Sequence, residues 1–224
     1  ICVSWRQAEI ISSIAPELMH KIRVIYNPLP EIQPIERKYE HPTFTYAGGG
    51  SYIKGVYVFI QGALKILKHK NNVTFLLTGG LRGFHRKHKQ LIERLNNTFV
   101  GRLKLTGFLP YDDVLKIYSK SYAVLVPSIW EEPFGYVVVE AMAMGTIPIA
   151  SRIGGIPEVV KGTYAEKMMF TPGNVDEFVS RMENVLSLSV EQLSDIGIGL
   201  REETLKRFNA NHTLKKLLKV FEEC

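Results

Sequence analysis

The stretch EPFGYVVVEAMAMG, which occupies residues 132–145, joins a loop to a helix. Proline and glycine within its first four positions are typical of a loop, and the apolar run after Gly135 indicates a helix with a stop at Gly145. Glu132 therefore precedes the helix, whereas Glu140 lies about one and a half turns inside it. The pattern predicts two carboxylates held in a fixed relation across one loop-to-helix junction.

The backbone N–H groups of Gly135, Tyr136 and Val137 lie between these two carboxylates in the sequence. The first N–H groups of a helix have no acceptor within the helix, so they can hold an anion. A carboxylate accepts hydrogen bonds from hydroxyl groups. Since a sugar joined to a diphosphate offers both an anion and hydroxyls, the junction suits a ligand of this chemistry.

The composition indicates a folded protein with a full core. The 224 residues are 46% hydrophobic, which suffices for one large domain or two small ones and argues against disorder. The longest apolar runs, residues 123–126 and 136–139, are far too short to span a bilayer. No secretory signal is recognised, and because the sequence begins with Ile1 rather than Met, we expect a trimmed piece of a longer protein.

Cysteine usage and charge narrow the class of protein. Cys2 and Cys224 have no metal-binding spacing and support no structural disulfide. A reducing, cytoplasmic location is therefore predicted, with at most peripheral membrane contact. The net charge is +6, and two basic groups carry much of it: Arg82, Arg86, Lys87 and Lys89, then Lys215, Lys216 and Lys219. We interpret them as solvated helix faces, with attraction to anionic substrates or a membrane surface as the alternative. No nucleic-acid-binding module accompanies them, so nucleic acid is not expected as a partner.

Strands and helices alternate along the chain. Short, mostly apolar runs predict strands at 22–26, 44–47, 73–78, 103–106, 123–126 and 147–150. Helices are predicted at 56–67, 85–96, 112–119 and 158–160, and from Tyr136 to a stop at Gly145, with two or three more in 174–223. Residues 30–42 are predicted to be a linker or an irregular loop. This alternation indicates an α/β, Rossmann-like three-layer domain with a parallel sheet. The loops after the strands should meet at the carboxyl edge of the sheet, where ligands bind.

Four motifs in fixed order carry a family resemblance. They are Pro127-Ser128, the EPFG at 132–135, the EAMAMG at 140–145 and the GGIPEVV at 154–160. Together they resemble the donor-binding half of the retaining glycosyltransferases with the GT-B fold, the glycogen-synthase-like and mannosyltransferase-like group known as glycosyl transferases group 1. The resemblance covers roughly residues 22–223, and the E-x7-E spacing is its most specific part.

The resemblance implies roles for the junction residues. Glu132 would be catalytic, contacting the donor sugar near the reacting carbon, and Glu140 would hold the ribose hydroxyls. Phe134, Gly135, Tyr136 and Val137 would complete this part of the donor site. From the residues alone, Glu132 could instead be a surface-loop glutamate with Glu131 as its competitor, and Glu140 an exposed helix carboxylate.

A glycine-rich loop at 48–55 adds a candidate for the diphosphate. Gly48 and Gly49 let backbone N–H groups approach phosphate closely, and Lys54 supplies a positive charge. The family pattern has an arginine after the first glycine, and here that position is Gly49. Arg82 is a candidate substitute, and an exposed lysine outside the site is the alternative for Lys54.

Three further features are weaker. Phe108 could stack on the nucleotide base or pack in the core. Gly79-Gly80 resembles the family's turn after a central strand. His85 and His88 have a spacing that could bind metal, but no third ligand is evident and their neighbours are basic. We expect no metal and no cofactor beyond the donor substrate.

The resemblance also implies a domain organisation and an activity. Residues 1–21 would be a crossing segment from an N-terminal domain that holds the acceptor, 22–205 the nucleotide-sugar domain, and 206–224 a helix packing on that absent domain. The apolar stripe of this helix, Leu214, Leu217, Leu218 and Phe221, could instead pack on the domain's own core.

The implied activity is transfer of a hexose from a UDP-, GDP- or ADP-sugar to a saccharide or lipid-linked acceptor with retention. We expect the 224-residue chain to be inactive by itself. The alternatives are a non-catalytic nucleotide-sugar-binding subunit that completes a site with a separate protein, and a GT-B sugar-nucleotide epimerase.

Overall fold

Five strands form one parallel sheet in the computed structural model of the protein, which describes residues 1–30, 32, 39–79, 86–99 and 101–222. The strands are β1 (Thr43–Tyr46), β2 (Thr74–Thr78), β3 (Leu103–Gly107), β4 (Ala123–Val126) and β5 (Ile147–Ala150). Their order across the sheet is β3-β2-β1-β4-β5. The expected Rossmann-like α/β fold with a parallel sheet is confirmed.

Helices follow the strands and flank the sheet. Their bounds are α1 (Trp5–Ile14), α2 (Val56–His69), α3 (Arg86–Thr98), α4 (Tyr111–Lys120), α5 (Tyr136–Ala143), α6 (Ile156–Val160), α7 (Val175–Leu186), α8 (Val190–Arg207) and α9 (Ala210–Glu222). Short 3-10 helices occupy Pro16–Lys21, Tyr52–Lys54 and Tyr164–Met168. The segment 174–223 thus contains three helices in its described part.

The predicted strand at 22–26 is wrong. Only an isolated bridge forms there, between Val24 and Cys2. The Cys2 N–H donates to the Arg23 carbonyl, and the Ile25 N–H donates to the Cys2 carbonyl. This mostly apolar run therefore pairs with the first residues of the chain and not with the sheet. The predicted linker at 30–42 lies largely outside the described residues.

Burial explains why the strands are apolar. All side chains of β4 and β5 are buried, as expected for parallel strands covered on both faces. On one side, α2 packs so closely on α7 that a Cβ at Gly62 would lie 2.6 Å from the Phe178 ring. Elsewhere α5 packs against α8.

The strand order positions the site. From β1 the chain moves outward to β2 and β3, and it then crosses back to place β4 on the other side of β1. Loops that leave the carboxyl ends of β1 and β4 therefore diverge and open a crevice between them. This switch point is where a ligand is expected in a fold of this type.

The helix α1 is attached to α6 by one carboxylate. The Glu158 carboxylate accepts hydrogen bonds from the N–H groups of Trp5 (2.8 Å) and Arg6 (2.7 Å), and from the Tyr26 hydroxyl (3.1 Å). Ser4 caps the same turn by accepting from the Gln7 N–H. A negative charge at a helix N-terminus is stabilising, so Glu158 satisfies two N–H groups that the helix itself leaves without acceptors.

The last helix, α9, keeps its apolar stripe exposed. Leu214 is 53% exposed, Leu218 51% and Phe221 70%, and Thr213 is the buried residue of the helix. The alternative that this stripe packs on the domain's own core is therefore wrong for these three side chains. No helix in the described part of the chain combines the length and apolar composition that a bilayer crossing requires.

Gly55, the N-cap of α2, gives a test of the packing at the sheet edge. Its φ is +77°, and a Cβ there would lie 1.7 Å from the Pro127 carbonyl oxygen. Gly55→Ala should therefore destabilise the protein by about 3–4 kcal/mol in urea unfolding.

Gly101→Ala is the matched control, because Gly101 has φ +70° and none of the described residues comes within 4 Å of its Cβ position. This variant should cost only the backbone term, about 1–2 kcal/mol. Equal costs at the two positions would contradict the close approach of Gly55 to Pro127.

Candidate functional site

A cavity of about 360 Å³ lies at the carboxyl ends of β1 and β4, at the switch point. Four stretches of chain line it: the N-terminal segment, the end of β1 with its loop, the end of β4, and the junction before α5. Of the candidate residues, the cavity lining includes Gly48, Lys54, Glu132, Phe134, Gly135, Tyr136 and Val137. Gly49 and Glu140 are not part of this lining.

Glu132 is held inside the cavity by two donors. Its side chain accepts an ion-pair hydrogen bond from the Lys54 ammonium and a hydrogen bond of 2.9 Å from the Ser128 hydroxyl, both on Oε1. Glu132 is 8% exposed, so it is not a surface-loop glutamate. A buried carboxylate is costly without partners, and these two contacts provide them.

Glu131, the competitor in the sequence, has a different role. It is exposed and forms an ion pair with Arg6, with Nη2 of the guanidinium 2.8 Å from Oε1 and Nε 3.1 Å from Oε2. The Arg6 guanidinium lowers the pKa of the Glu131 carboxyl. The structure therefore separates the adjacent glutamates, with Glu132 in the cavity and Glu131 on the surface.

The two glycines of the GGIPE motif lie against the backbone of Glu132. The Gly155 N–H donates to the Glu132 carbonyl at 2.8 Å. Gly154 has φ +60°, and a Cβ there would lie 2.2 Å from that same carbonyl oxygen. Glycine is required because the backbone of residues 154–155 lies directly against the backbone of Glu132. The motif thus fixes the position of the carboxylate.

The junction before α5 has the predicted geometry. Gly135 is the N-cap of α5 with φ +93°, and the helix ends in a Schellman motif around Gly145, in which the N–H of Thr146 bonds to the Ala141 carbonyl. The N–H groups of Tyr136 and Val137 belong to the first turn and have no acceptor within the helix. Both residues line the cavity, so an anion bound there would lie at the positive end of α5.

Glu140 lies half-buried in the middle of α5, between buried Val139 and Ala141. The Tyr111 hydroxyl donates a hydrogen bond of 3.0 Å to its Oε1. Burial raises the pKa of the Glu140 carboxyl, and the Tyr111 hydrogen bond opposes this rise. Burial and the nearby Glu140 carboxylate also raise the pKa of Tyr111.

Two aromatic residues near the site were missed by the sequence reasoning. Tyr111 opens α4 and reaches α5 only in the folded protein, so no local pattern reveals its contact with Glu140. Trp130 lies with its ring centroid 5.2 Å from the Lys54 Nζ, a cation–π distance. Its place two residues before Glu132 was the one available signal.

Lys54 faces the cavity, although the loop around it departs from the family pattern. Lys54 is the last residue of the 3-10 turn Tyr52–Lys54. Because it lines the cavity, it is not an exposed lysine outside the site. A Cβ at Gly48 would lie 2.2 Å from the Tyr46 hydroxyl oxygen, which explains that glycine. Gly49 has φ +56°, a backbone conformation that an arginine would adopt only with strain.

The remaining candidates divide into three outcomes. Phe108 is 85% exposed, so core packing is wrong for it and base stacking stays a prediction. Gly80, Arg82 and His85 lie outside the described residues, as does the side chain of His88. Within the described part of the chain, no group of three or more potential ligands could hold a metal ion.

The fold and this arrangement define a class. The five-stranded parallel α/β domain has the fold of the donor-binding half of GT-B glycosyltransferases. The family model described as "Glycosyl transferases group 1" matches residues 30–203, and the chain belongs to this family.

Curated relatives are similar over most of this chain. It is 29% identical over 205 residues to an uncharacterized glycosyltransferase, MJ1607, of Methanocaldococcus jannaschii, covering 84% of this chain and 50% of that protein. It is 34% identical over 117 residues to the sulfoquinovosyl transferase SQD2 of Arabidopsis thaliana, covering 51% of this chain and 22% of the relative. The chain therefore spans half or less of the length of these two relatives.

Solved structures share the fold. Sucrose-phosphate synthase from Thermosynechococcus elongatus superposes with a TM-score of 0.79 at 21% identity, over 99% of this chain and 57% of that one. Alr3699/HepE of Anabaena, in a complex with UDP-glucose, superposes with a TM-score of 0.81 at 18% identity, over 100% of this chain and 63% of that one.

The raised pKa of Glu140 makes a stability prediction. A carboxyl whose pKa is raised in the folded state stabilises the fold most at a pH below its ordinary pKa of 4.5. This stabilisation is lost as the pH rises through the raised pKa of the folded state. Glu140→Gln should therefore raise Tm at pH 7 by about 2–4 °C, the shift that roughly 1 kcal/mol gives in a domain of this size, and change it little at pH 4.

Thermal unfolding at the two pH values measures this difference. Glu183→Gln, on an exposed position of α7, controls for the loss of one carboxylate. A Glu140→Gln variant that is less stable than the unchanged protein at pH 7 would contradict a desolvated carboxylate at this position.

Proposed function

We propose that this chain is the donor-binding domain of a glycosyltransferase that moves a hexose from a nucleotide-diphosphate sugar to a hydroxyl of a saccharide or lipid-linked acceptor, with retention. One observation carries the proposal. A lysine, a buried glutamate and the N-terminus of α5 meet in one cavity at the switch point of the sheet, with a second glutamate further along the same helix.

The charges of the cavity suit the diphosphate. Lys54 and the N–H groups at the start of α5 supply positive potential where the leaving group would carry negative charge. In this proposal they act without a metal ion or a cofactor. Gly48 lines the cavity without a side chain, so a phosphate could approach its backbone closely.

The two glutamates divide the donor between them. Glu132 accepts sugar hydroxyls and stabilises the positive charge that develops at the anomeric carbon when its bond to the diphosphate breaks. Glu140, oriented by Tyr111, accepts the ribose hydroxyls. The diphosphate leaves with the electron pair of the broken bond and takes up the proton of the acceptor hydroxyl, whose oxygen bonds to the anomeric carbon on the same face of the sugar.

The acceptor side is proposed to come from a facing domain. Residues 1–21 and 206–224 would contact that domain, and 22–205 would bind the donor. The exposed apolar stripe Leu214, Leu218 and Phe221 on α9 supports this organisation, because a soluble domain rarely leaves such a stripe uncovered.

The relatives guide the choice of donor. A 2-deoxystreptamine glucosyltransferase of Streptomyces kanamyceticus is 28% identical over 182 residues, and the Anabaena structure contains UDP-glucose. UDP-glucose is therefore the first donor to test, with GDP-mannose as the alternative.

Calorimetric titration of the 224-residue chain with UDP-glucose, UDP, GDP-mannose and GDP tests the donor site. One nucleotide family should bind, and Glu140→Ala should weaken the binding of both its members about tenfold or more, because both contain the ribose. Glu131→Gln is the matched control, since it removes an exposed neighbour of Glu132 that pairs with Arg6.

The outcomes separate the proposal from its rivals. No binding at 1 mM ligand, a free energy weaker than about −4 kcal/mol, would reject a donor site in this chain. Donor hydrolysis or epimerisation without an acceptor would instead indicate an epimerase. If the chain binds the donor but transfers the sugar only after a separate protein is added, the chain is a donor-binding subunit.

A further inference from the structure

The described lining of the cavity pairs one cation with one carboxylate, and a bound diphosphate would be a second anion for the same cation, which has a functional consequence that rests on the proposed donor site. Among the described residues that line the cavity, Lys54 is the positively charged one, and Glu132 is the negatively charged one. The two already form an ion pair. A diphosphate entering the cavity would bring further negative charge to the same lysine.

Glycine at position 49 sharpens the competition. Its side chain contributes no charge, and no atom of the described residues lies within 4 Å of its Cβ position. The Lys54 ammonium is therefore shared between the carboxylate that pairs with it and any phosphate that enters. The Trp130 ring, 5.2 Å from Nζ, contacts the ammonium in its present position beside Glu132.

We infer that the Lys54–Glu132 ion pair is an internal competitor of the diphosphate, which makes the site prefer the intact sugar nucleotide over the nucleoside diphosphate product. Binding of either ligand weakens the Lys54–Glu132 pair, because the diphosphate draws on the same ammonium. The donor compensates, because its sugar hydroxyls hydrogen-bond to the carboxylate whose ion pair is weakened.

The product lacks that compensation. Once the sugar has been transferred, Glu132 keeps the Ser128 hydroxyl but has no sugar hydroxyls to accept, and a buried carboxylate that has lost its cationic partner is costly. Re-forming the ion pair withdraws Lys54 from the diphosphate and so favours product release. In this account Glu132 contacts the donor sugar directly and also controls how tightly the product is held.

The test is a double-mutant cycle on UDP and UDP-glucose binding. Glu132→Gln should bind UDP about three- to tenfold more tightly than the unchanged chain, since Lys54 no longer has to leave a charged partner. The same variant should bind UDP-glucose no more tightly than the unchanged chain. The ratio of the two affinities should therefore fall.

A second background separates competition from simple repulsion. In Lys54→Gln, a further Glu132→Gln change should give no gain in UDP affinity, because the contested cation is absent. If Glu132 merely repelled the diphosphate, the gain would persist in this background or grow, and the inference would be rejected. Absence of a gain in the unchanged background would also reject it.

Trp130 provides a readout that leaves the ion pair intact. In a Trp5→Phe variant, Trp130 is the remaining tryptophan, and its emission should change when UDP draws Lys54 away from the ring. No change at saturating UDP would contradict the displacement. If GDP binds in place of UDP, GDP and GDP-mannose replace the uridine pair. Failure of every nucleotide to bind rejects the donor site itself, and the competitor with it.

Discussion

Burying one carboxylate organises the candidate site. Glu132 is 8% exposed, and the contacts that make this possible come from three different loops. Lys54 approaches from the loop after β1, Ser128 from the loop after β4, and Gly155 from the loop after β5. Removing water from a carboxylate costs several kcal/mol unless donors replace it. The loops after β1, β4 and β5 are thus held together by contacts to a single residue, two of them to the Glu132 carboxylate and one to its backbone carbonyl.

Much of the fold could be predicted because it depends on local and repetitive signals. The runs at 123–126 and 147–150 are strands with the same bounds in the structure, since a buried parallel strand must be apolar throughout. Gly145 ends α5 because the residue after the helix has a φ of +72°, which suits glycine. The glycine itself is visible in the sequence. Within the site, the spacing of Glu132 and Glu140 across the junction was equally visible.

Other features depend on contacts between distant segments, which no local pattern encodes. The run at 22–26 has the alternation of a strand, but its partner Cys2 lies in another segment outside the sheet. Phe108 has a large apolar side chain of the kind that packs in cores, yet it lies on a loop that leaves it exposed. Tyr111 reaches Glu140 across the gap between α4 and α5, a contact fixed by how the helices pack.

The attachment of α1 to Glu158 has a mechanical consequence. Glu158 lies three residues after Gly155, whose N–H holds the Glu132 carbonyl, and it grips the first turn of α1 through two backbone N–H groups. Arg6 of the same turn is tied to Glu131, next to Glu132. Force applied to α1 is therefore delivered to both sides of the Glu132 peptide. A displacement of α1 would therefore also displace the backbone that carries the Glu132 side chain.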